Sequence, residues 1–229
     1  MSHRAFKNRL FPQFARVAQA LASERRLELI DLLAQGPRHV DALAAETGMS
    51  MANVSQHLQS LRAANLVETE RDGTKVIYRL AGDDVLRLWL ALRGVAEERL
   101  PEIPRLARQF AIDGVDDRPL SRMELEIRMT RNEVTVIDVR PAIEFNHGHL
   151  CGAISLPADE LHARVDELPV DRPVVAYCRG PYCLFADEAV ALLRQRGFEA
   201  YRIEGGWPDW VADGRPTSVG RSEIGRDAP

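Results

Sequence analysis

The tightest constraint in this chain is a turn. Asp72-Gly73 separates two runs, 66–71 and 74–80, that read as neighbouring strands. Asp-Gly tolerates positive φ and closes a two-residue hairpin. Helical patterns precede it. Val40, Leu43 and Ala44 mark a short helix ending at Gly48. In the next helix Val54, Leu58 and Leu61 share one face at i, i+4 and i+7, with Ser50 as candidate N-cap. Short helix, glycine turn, second helix and hairpin together read as a helix-turn-helix with a wing.

The second helix presents polar groups away from its apolar face. Asn53, Ser55, Gln56, Gln59 and Ser60 lie there. Amide side chains bond adenine edges in the major groove, and serine bonds phosphate or groove edges. Arg71 and Lys75 flank the wing tip, where a cation can meet the DNA backbone or minor groove. The candidate DNA contacts are therefore Ser50, Asn53, Ser55, Gln56, Gln59, Arg71 and Lys75. A solvated helix in a bundle would explain the polar face alone, but the hairpin directly behind it argues against that. Upstream, Phe14, Val17, Ala18 and Leu21 make one amphipathic helix. Leu27, Ile30 and Leu33 make another, between a Ser23 cap and Gly36-Pro37. Downstream, Val85, Leu88, Trp89, Leu92 and Val95 fit a helix over 84–108.

The second half changes pattern. Apolar runs at 134–138, 173–177 and 200–203 alternate with helical segments, one of them at 187–196 and stopped by Gly197. Such alternation predicts a mostly parallel sheet covered on both faces, with reactive groups at the carboxyl ends of the strands. Cys178 follows one such strand directly, ahead of Arg-Gly-Pro-Tyr-Cys183 and a helix. Backbone N–H groups and a helix N-terminus there favour a thiolate, and Arg179 is expected to add positive charge. Residues 111–120, rich in Gly, Asp and Pro, read as a linker, and 216–229 as a flexible tail.

Charge separates the halves. Residues 1–110 hold 16 Lys and Arg against 13 Asp and Glu, a net of +3, while the rest hold 14 against 21, a net of −7. A basic module beside an acidic one suits nucleic-acid binding by the first alone. The three cysteines, Cys151, Cys178 and Cys183, all lie in the second half and include no Cys-x-x-Cys pair. That is too few for a disulfide framework and a weak case for zinc, so no metal and no cofactor are expected. No apolar run approaches a membrane span, and no signal peptide is apparent, so a cytoplasmic protein without membrane contact is expected.

Residues 10–108, through LASERRLELIDLL and LAAETGMSMANVSQHLQSLRAANLVETERDGTKVIYRL, resemble the ArsR/SmtB family of winged-helix repressors. That resemblance implies a homodimer on a pseudo-palindromic double-stranded operator, with 84–108 as the dimer helix. One departure stands out. Many members carry a metal-binding cysteine pair before the turn, and no cysteine precedes Cys151 here. The signal must then enter elsewhere.

Residues 121–213, through VIDVRPAIEFNHGHLCGAISLP, VVAYCRGPYC and GFEAYRIEGGWPDW, resemble the rhodanese family. The fold class is thus an α+β winged helix-turn-helix over 1–110, followed by an α/β rhodanese-like domain over 121–215. The resemblance implies sulfane-sulfur transfer through a persulfide on Cys178, with Asp138 and Arg140 at the strand end near it. Glu144 and His149 match the same pattern and read as structural. The resemblance also implies a sulfur donor such as thiosulfate, polysulfide or a low-molecular-weight persulfide.

Cys183, five residues on, comes within bridging reach if the loop curls to a Cα separation under ~7 Å. It could then resolve a Cys178 persulfide, or simply pack beneath the loop. Cys151 reads as a small buried residue, with a third redox partner as the alternative. A phosphatase would need Cys-x5-Arg, and Leu184 stands where that arginine belongs. Three functions follow in order: a sulfur-responsive repressor, a DNA-tethered sulfurtransferase, and an arsenite or soft-metal switch using the Cys178/Cys183 dithiol.

Overall fold

The computed structural model describes residues 2–110, 112 and 119–220. Two compact units divide the chain, Met1–Arg93 and Gly94–Pro229.

The first unit runs α1 (His3–Leu21), α2 (Glu24–Leu33), β1 (Arg38–His39), α3 (Val40–Thr47), α4 (Met51–Ala63), β2 (Val67–Asp72) and β3 (Lys75–Leu80), and then enters α5 (Asp83–Arg99). Gly48 ends α3 in the left-handed region at φ 65°, which a residue without Cβ adopts freely. Ser50 caps α4 by accepting a hydrogen bond from the Asn53 N–H at 3.3 Å. Val54, Leu58 and Leu61 are fully buried, packing in one core with Leu29, Ile30 and Leu43 of α2 and α3. Each such side chain contributes roughly 1.5–3 kcal/mol of burial. β2 and β3 pair antiparallel up to Asp72 opposite Lys75, as the Asp72-Gly73 turn requires. β1 adds a third strand to β3; two residues are too short to show a period.

The compact division comes at Arg93, inside α5, whereas the expected first domain runs to 110. Val85 and Trp89 are the last α5 side chains packed with the first core. The single helix expected over 84–108 is in fact two, because α5 stops at Arg99 and α6 (Glu102–Gln109) follows. Pro101 stands between them; it has no N–H to donate and its ring clashes with a preceding helical carbonyl.

The second unit continues with α7 (Arg122–Thr130), β4 (Thr135–Asp138), α8 (Ala142–His147), β5 (His149–Leu150), β6 (Ile154–Ser155), α9 (Leu161–Arg164), β7 (Val174–Tyr177), α10 (Leu184–Gln195), β8 (Ala200–Arg202), α11 (Trp207–Ala212) and β9 (Thr217–Ser218). The main sheet has the order β6-β4-β7-β8, and every pair is parallel. Side chains alternate between its faces, so two cores form. Val174, Ala176 and Ile137 face one core with α9 and α10. Val175, Tyr177 and Val136 face the other, with Phe145 of α8 and Trp210 of α11.

Apart from Ile112, Pro119 and Leu120, the expected linker lies outside the described residues. Leu120 is no linker residue. It is buried and bridges Ile203 in parallel, donating to the Arg202 carbonyl at 2.8 Å and accepting from the Glu204 N–H at 2.8 Å. The expected tail over 216–229 also begins too early, since β9 pairs with β5 as far as Ser218; 221–229 lie outside the described residues. No helix of the described residues is long and apolar enough to cross a membrane.

Candidate functional site

Two sets of residues carry chemistry, one in each unit. In the second unit Cys178 leaves the carboxyl end of β7, and Cys183 occupies the N-cap position of α10. A disulfide joins them, with their Cα atoms 6.2 Å apart. That separation is inside the range a bridge tolerates. The loop curls here: the Cys183 N–H donates to the Gly180 carbonyl at 3.2 Å, and the Trp207 N–H donates to the Cys178 carbonyl at 3.0 Å. Cys178 is only 2% exposed, among Val139, Leu156 and Ala186 of the second core, while Cys183 is half-buried. The thiolate expected at 178 is here a covered sulfur held in a disulfide.

Beneath the loop lies a buried polar frame. Asp138 and Arg140 are both 0% exposed, with Nη2 to Oδ2 at 2.6 Å. The Arg140 backbone N–H also donates to Asp138 Oδ1 at 2.9 Å, and Nη2 donates to the Gly148 carbonyl at 2.7 Å. Tyr177 donates its hydroxyl to Asp138 and accepts from the Leu150 N–H. The guanidinium sits 4.9 Å from the Trp207 ring centre, close enough for a cation–π contact. Burial alone would lower the Arg140 pKa, but the charge and hydrogen bonds of Asp138 hold it above its usual value. Burial, reinforced by Asp138, pushes Tyr177 well up, so its hydroxyl keeps its proton. The frame is thus a buried, paired scaffold that ties β4, β7 and the Gly148 carbonyl together.

Arg179 requires a correction. Its guanidinium was expected to lend charge to the neighbouring thiol, yet it pairs with Glu144 on α8, Nη2 to Oε1 at 2.6 Å and Nε to Oε1 at 2.9 Å. Glu144 is 1% exposed, and a carboxylate so buried demands a cation. His149 behaves as a structural residue: its Nδ1 is 2.9 Å from the Phe145 carbonyl and its ring stacks on Phe145 at 3.7 Å. Burial lowers its pKa, which favours the neutral ring. Cys151 is a free thiol and exposed, not the buried residue its sequence context suggested.

In the first unit, Ser50, Asn53, Gln56 and Gln59 are exposed and Ser55 is half-buried, all on the side of α4 away from the core. Arg71 is exposed near the wing tip, while Lys75 pairs with Asp41 at 3.0 Å. That pair keeps the Asp41 carboxyl below its usual pKa, chiefly through the Lys75 hydrogen bond. Lys75 thus serves the wing's attachment to α3 as well as its surface charge.

A model of the bacterial regulatory protein arsR family matches residues 23–69. A model of the rhodanese-like domain matches 121–213. The HTH-type transcriptional regulator Rv0324 of Mycobacterium tuberculosis is 44% identical over 214 residues, which is 93% of this chain and 94% of that protein. The chain belongs to the arsR family of transcriptional regulators and carries a C-terminal rhodanese-like domain. The nodulation protein NolR of Rhizobium meliloti is 35% identical over 103 residues, 45% of this chain and 75% of its own. Among solved structures, the homodimeric winged helix-turn-helix domain Mb0332 of Mycobacterium bovis is 48% identical, covering 44% of this chain and 93% of that one, with a TM-score of 0.42.

Within this arsR-family regulator the rhodanese-like domain has one close backbone approach that matters for the loop. A Cβ on Gly206 would stand 2.6 Å from the Cys178 carbonyl oxygen and 2.5 Å from the Gly180 nitrogen. Both are main-chain atoms and cannot step aside. Gly206→Ala is expected to push the 178–183 loop off α11, at a cost of about 1–3 kcal/mol, and to speed reduction of the disulfide by dithiothreitol. A thermal melt and a thiol-release time course check both. Sequence reasoning passed over Gly206, Glu144 as partner to Arg179, and Tyr177 as partner to Asp138. The Gly205-Gly206-Trp207 run was the available signal for the first.

Proposed function

We propose that this regulator binds a pseudo-palindromic double-stranded operator as a homodimer, and that sulfane sulfur received at Cys178 changes its DNA affinity. The observation that carries this reading is the Cys178–Cys183 pair, two thiols five residues apart at the end of β7, close enough to bridge. In the first step the Cys178 thiolate attacks the terminal sulfur of a donor, and the donor's remaining group leaves with the bond's electron pair. In the second, the Cys183 thiolate attacks Cys178 Sγ, the S–S bond of the persulfide breaks, and hydrosulfide leaves. The disulfide that results is the sulfur-exposed state of the sensor.

Dimerisation is supported by apolar side chains that the chain leaves exposed. Leu88, Leu92 and Val95 follow one another at i, i+4 and i+7 along α5, and Phe6, Phe11 and Phe14 stand out from α1. Large exposed apolar stripes mark interaction surfaces, and a twofold dimer covers its own. Operator contact is supported by the exposed amides of α4. Gln56→Ala and Gln59→Ala are each expected to cost about 1–3 kcal/mol of operator binding, measured as Kd at fixed salt, with weaker loss on non-specific DNA. Equal losses on both DNAs would remove these residues from base recognition. The reading as a whole is tested by treating one sample with polysulfide and measuring, on that sample, the mass of the 178–183 peptide and operator affinity. A disulfide or persulfide without any change in affinity would break the link.

A further inference from the structure

Beside the cysteine pair lies a cavity of about 400 Å³ whose walls include Val139, Pro141, Pro157 and Phe185, with Asp159 and Glu160 at its acidic side. Two of those walls come from segments next to the cysteines. The Val139 N–H donates to the carbonyl of Tyr177, next to Cys178, at 3.1 Å, and Phe185 lies in the first turn of α10, two residues beyond Cys183. No lysine or arginine among the described residues lines it. The loop's own cation, Arg179, is held by Glu144. The residues from 111 onward carry a net charge of −7. Glu160 is paired with Arg164 at 2.7 Å, so a small dianion entering here meets apolar walls and the charge of Asp159.

Resting on the sulfur-sensing reading above, we infer that this cavity receives the body of the sulfur donor, and that the donor is an apolar organic sulfane carrier with at most one negative charge. Thiosulfate, a dianion with no apolar body, is a poor donor. The chemistry is unchanged: the Cys178 thiolate attacks the carrier's terminal sulfur, the sulfur–sulfur or sulfur–sulfonyl bond breaks, and the electron pair leaves on the carrier as a thiolate or sulfinate. One sulfur is gained on Cys178, and no external oxidant is needed. The cavity wall supplies selectivity through apolar contact, and Asp159 supplies it by repulsion.

Benzenethiosulfonate and thiosulfate test this directly. Both carry a sulfane sulfur on a sulfonyl centre, and they differ by an aryl ring and one charge. The full-length protein is reduced with dithiothreitol, freed of it, and given each donor; sulfur transfer to Cys178 is followed by mass spectrometry of the 178–183 peptide as persulfide plus the disulfide that Cys183 makes from it. Rates are normalised to those of a free small thiol, which removes the donors' intrinsic reactivity. The normalised rate is expected to favour benzenethiosulfonate by roughly ten- to a hundredfold. Phe185→Ala should reduce that preference several-fold, and Asp159→Lys, at an exposed position, should raise loading by thiosulfate. A preference under twofold, or a ratio that neither variant moves, overturns the inference and leaves the sensing reading standing. Failure of both donors to load Cys178 would instead defeat the sensing reading itself.

Discussion

Cys178→Ser is expected to bind the operator as tightly as the parent protein and to stay bound when polysulfide is added. For the parent, an effector of ordinary coupling strength, about 1–3 kcal/mol, shifts operator affinity by roughly 5- to 150-fold. For the serine variant the shift should fall within twofold, because a hydroxyl neither accepts sulfane sulfur nor forms the bridge to Cys183. The other cysteines separate the steps. Cys183→Ser should take up sulfur and keep it as a persulfide, since the second attack has lost its nucleophile. Cys151→Ser should respond like the parent, because Cys151 is exposed and unbridged. Fluorescence anisotropy on labelled operator reads the affinity, and intact-mass spectrometry reads the sulfur count. A serine variant released from DNA as readily as the parent would place the sensor elsewhere. The burial of Cys178 sharpens the expectation for recovery: reductants should attack at the half-buried Cys183, expelling the Cys178 thiolate.

What could be read in the sequence was local. The αL glycine at 48, the Ser50 cap, the Asp72-Gly73 hairpin and the strands around 135–138 and 174–177 follow from patterns within a dozen residues. The cysteine pair belongs to the same class, since both thiols sit on one loop. The rest depends on segments far apart in the chain. Arg179 meets Glu144 35 residues away, and Gly206 approaches the backbone of Cys178 from α11. No spacing rule encodes either contact. Leu120 was read as linker because Gly, Asp and Pro surround it, yet one residue with two sheet hydrogen bonds to 202 and 204 suffices to pin the sheet's edge. α7 was readable and passed over: Ser121 caps it by accepting from the Glu124 N–H at 3.2 Å. Its one buried side chain, Leu125, is too sparse a pattern to announce a helix.

Asp138→Asn is expected to destabilise the second unit by about 3–5 kcal/mol. The substitution barely alters volume. It removes the carboxylate paired directly with the Arg140 guanidinium, 0% exposed, and leaves only the weaker pull of Glu144, which Arg179 already shares. The Gly148 carbonyl still accepts from Nη2, and the Trp207 and Tyr177 rings still flank the cation, but none of these carries a full negative charge. A drop of that size in a domain of this length shifts the midpoint by roughly 12–40 °C. Trp207 and Trp210 lie in the second unit and report on it by fluorescence, with Trp89 reporting on the first. The two units need not melt together, so separate transitions are the measured quantity. The paired replacement Asp138→Leu with Arg140→Met should recover much of the loss, because removing both charges removes the desolvation penalty with the attraction. It should not recover sulfur loading in proportion, since the Arg140 contact with the Gly148 carbonyl and the Tyr177 hydroxyl's acceptor go with it. A single variant that melts within 1 kcal/mol of the parent would mean that water reaches this pair, and that the frame under the loop is softer than its burial implies.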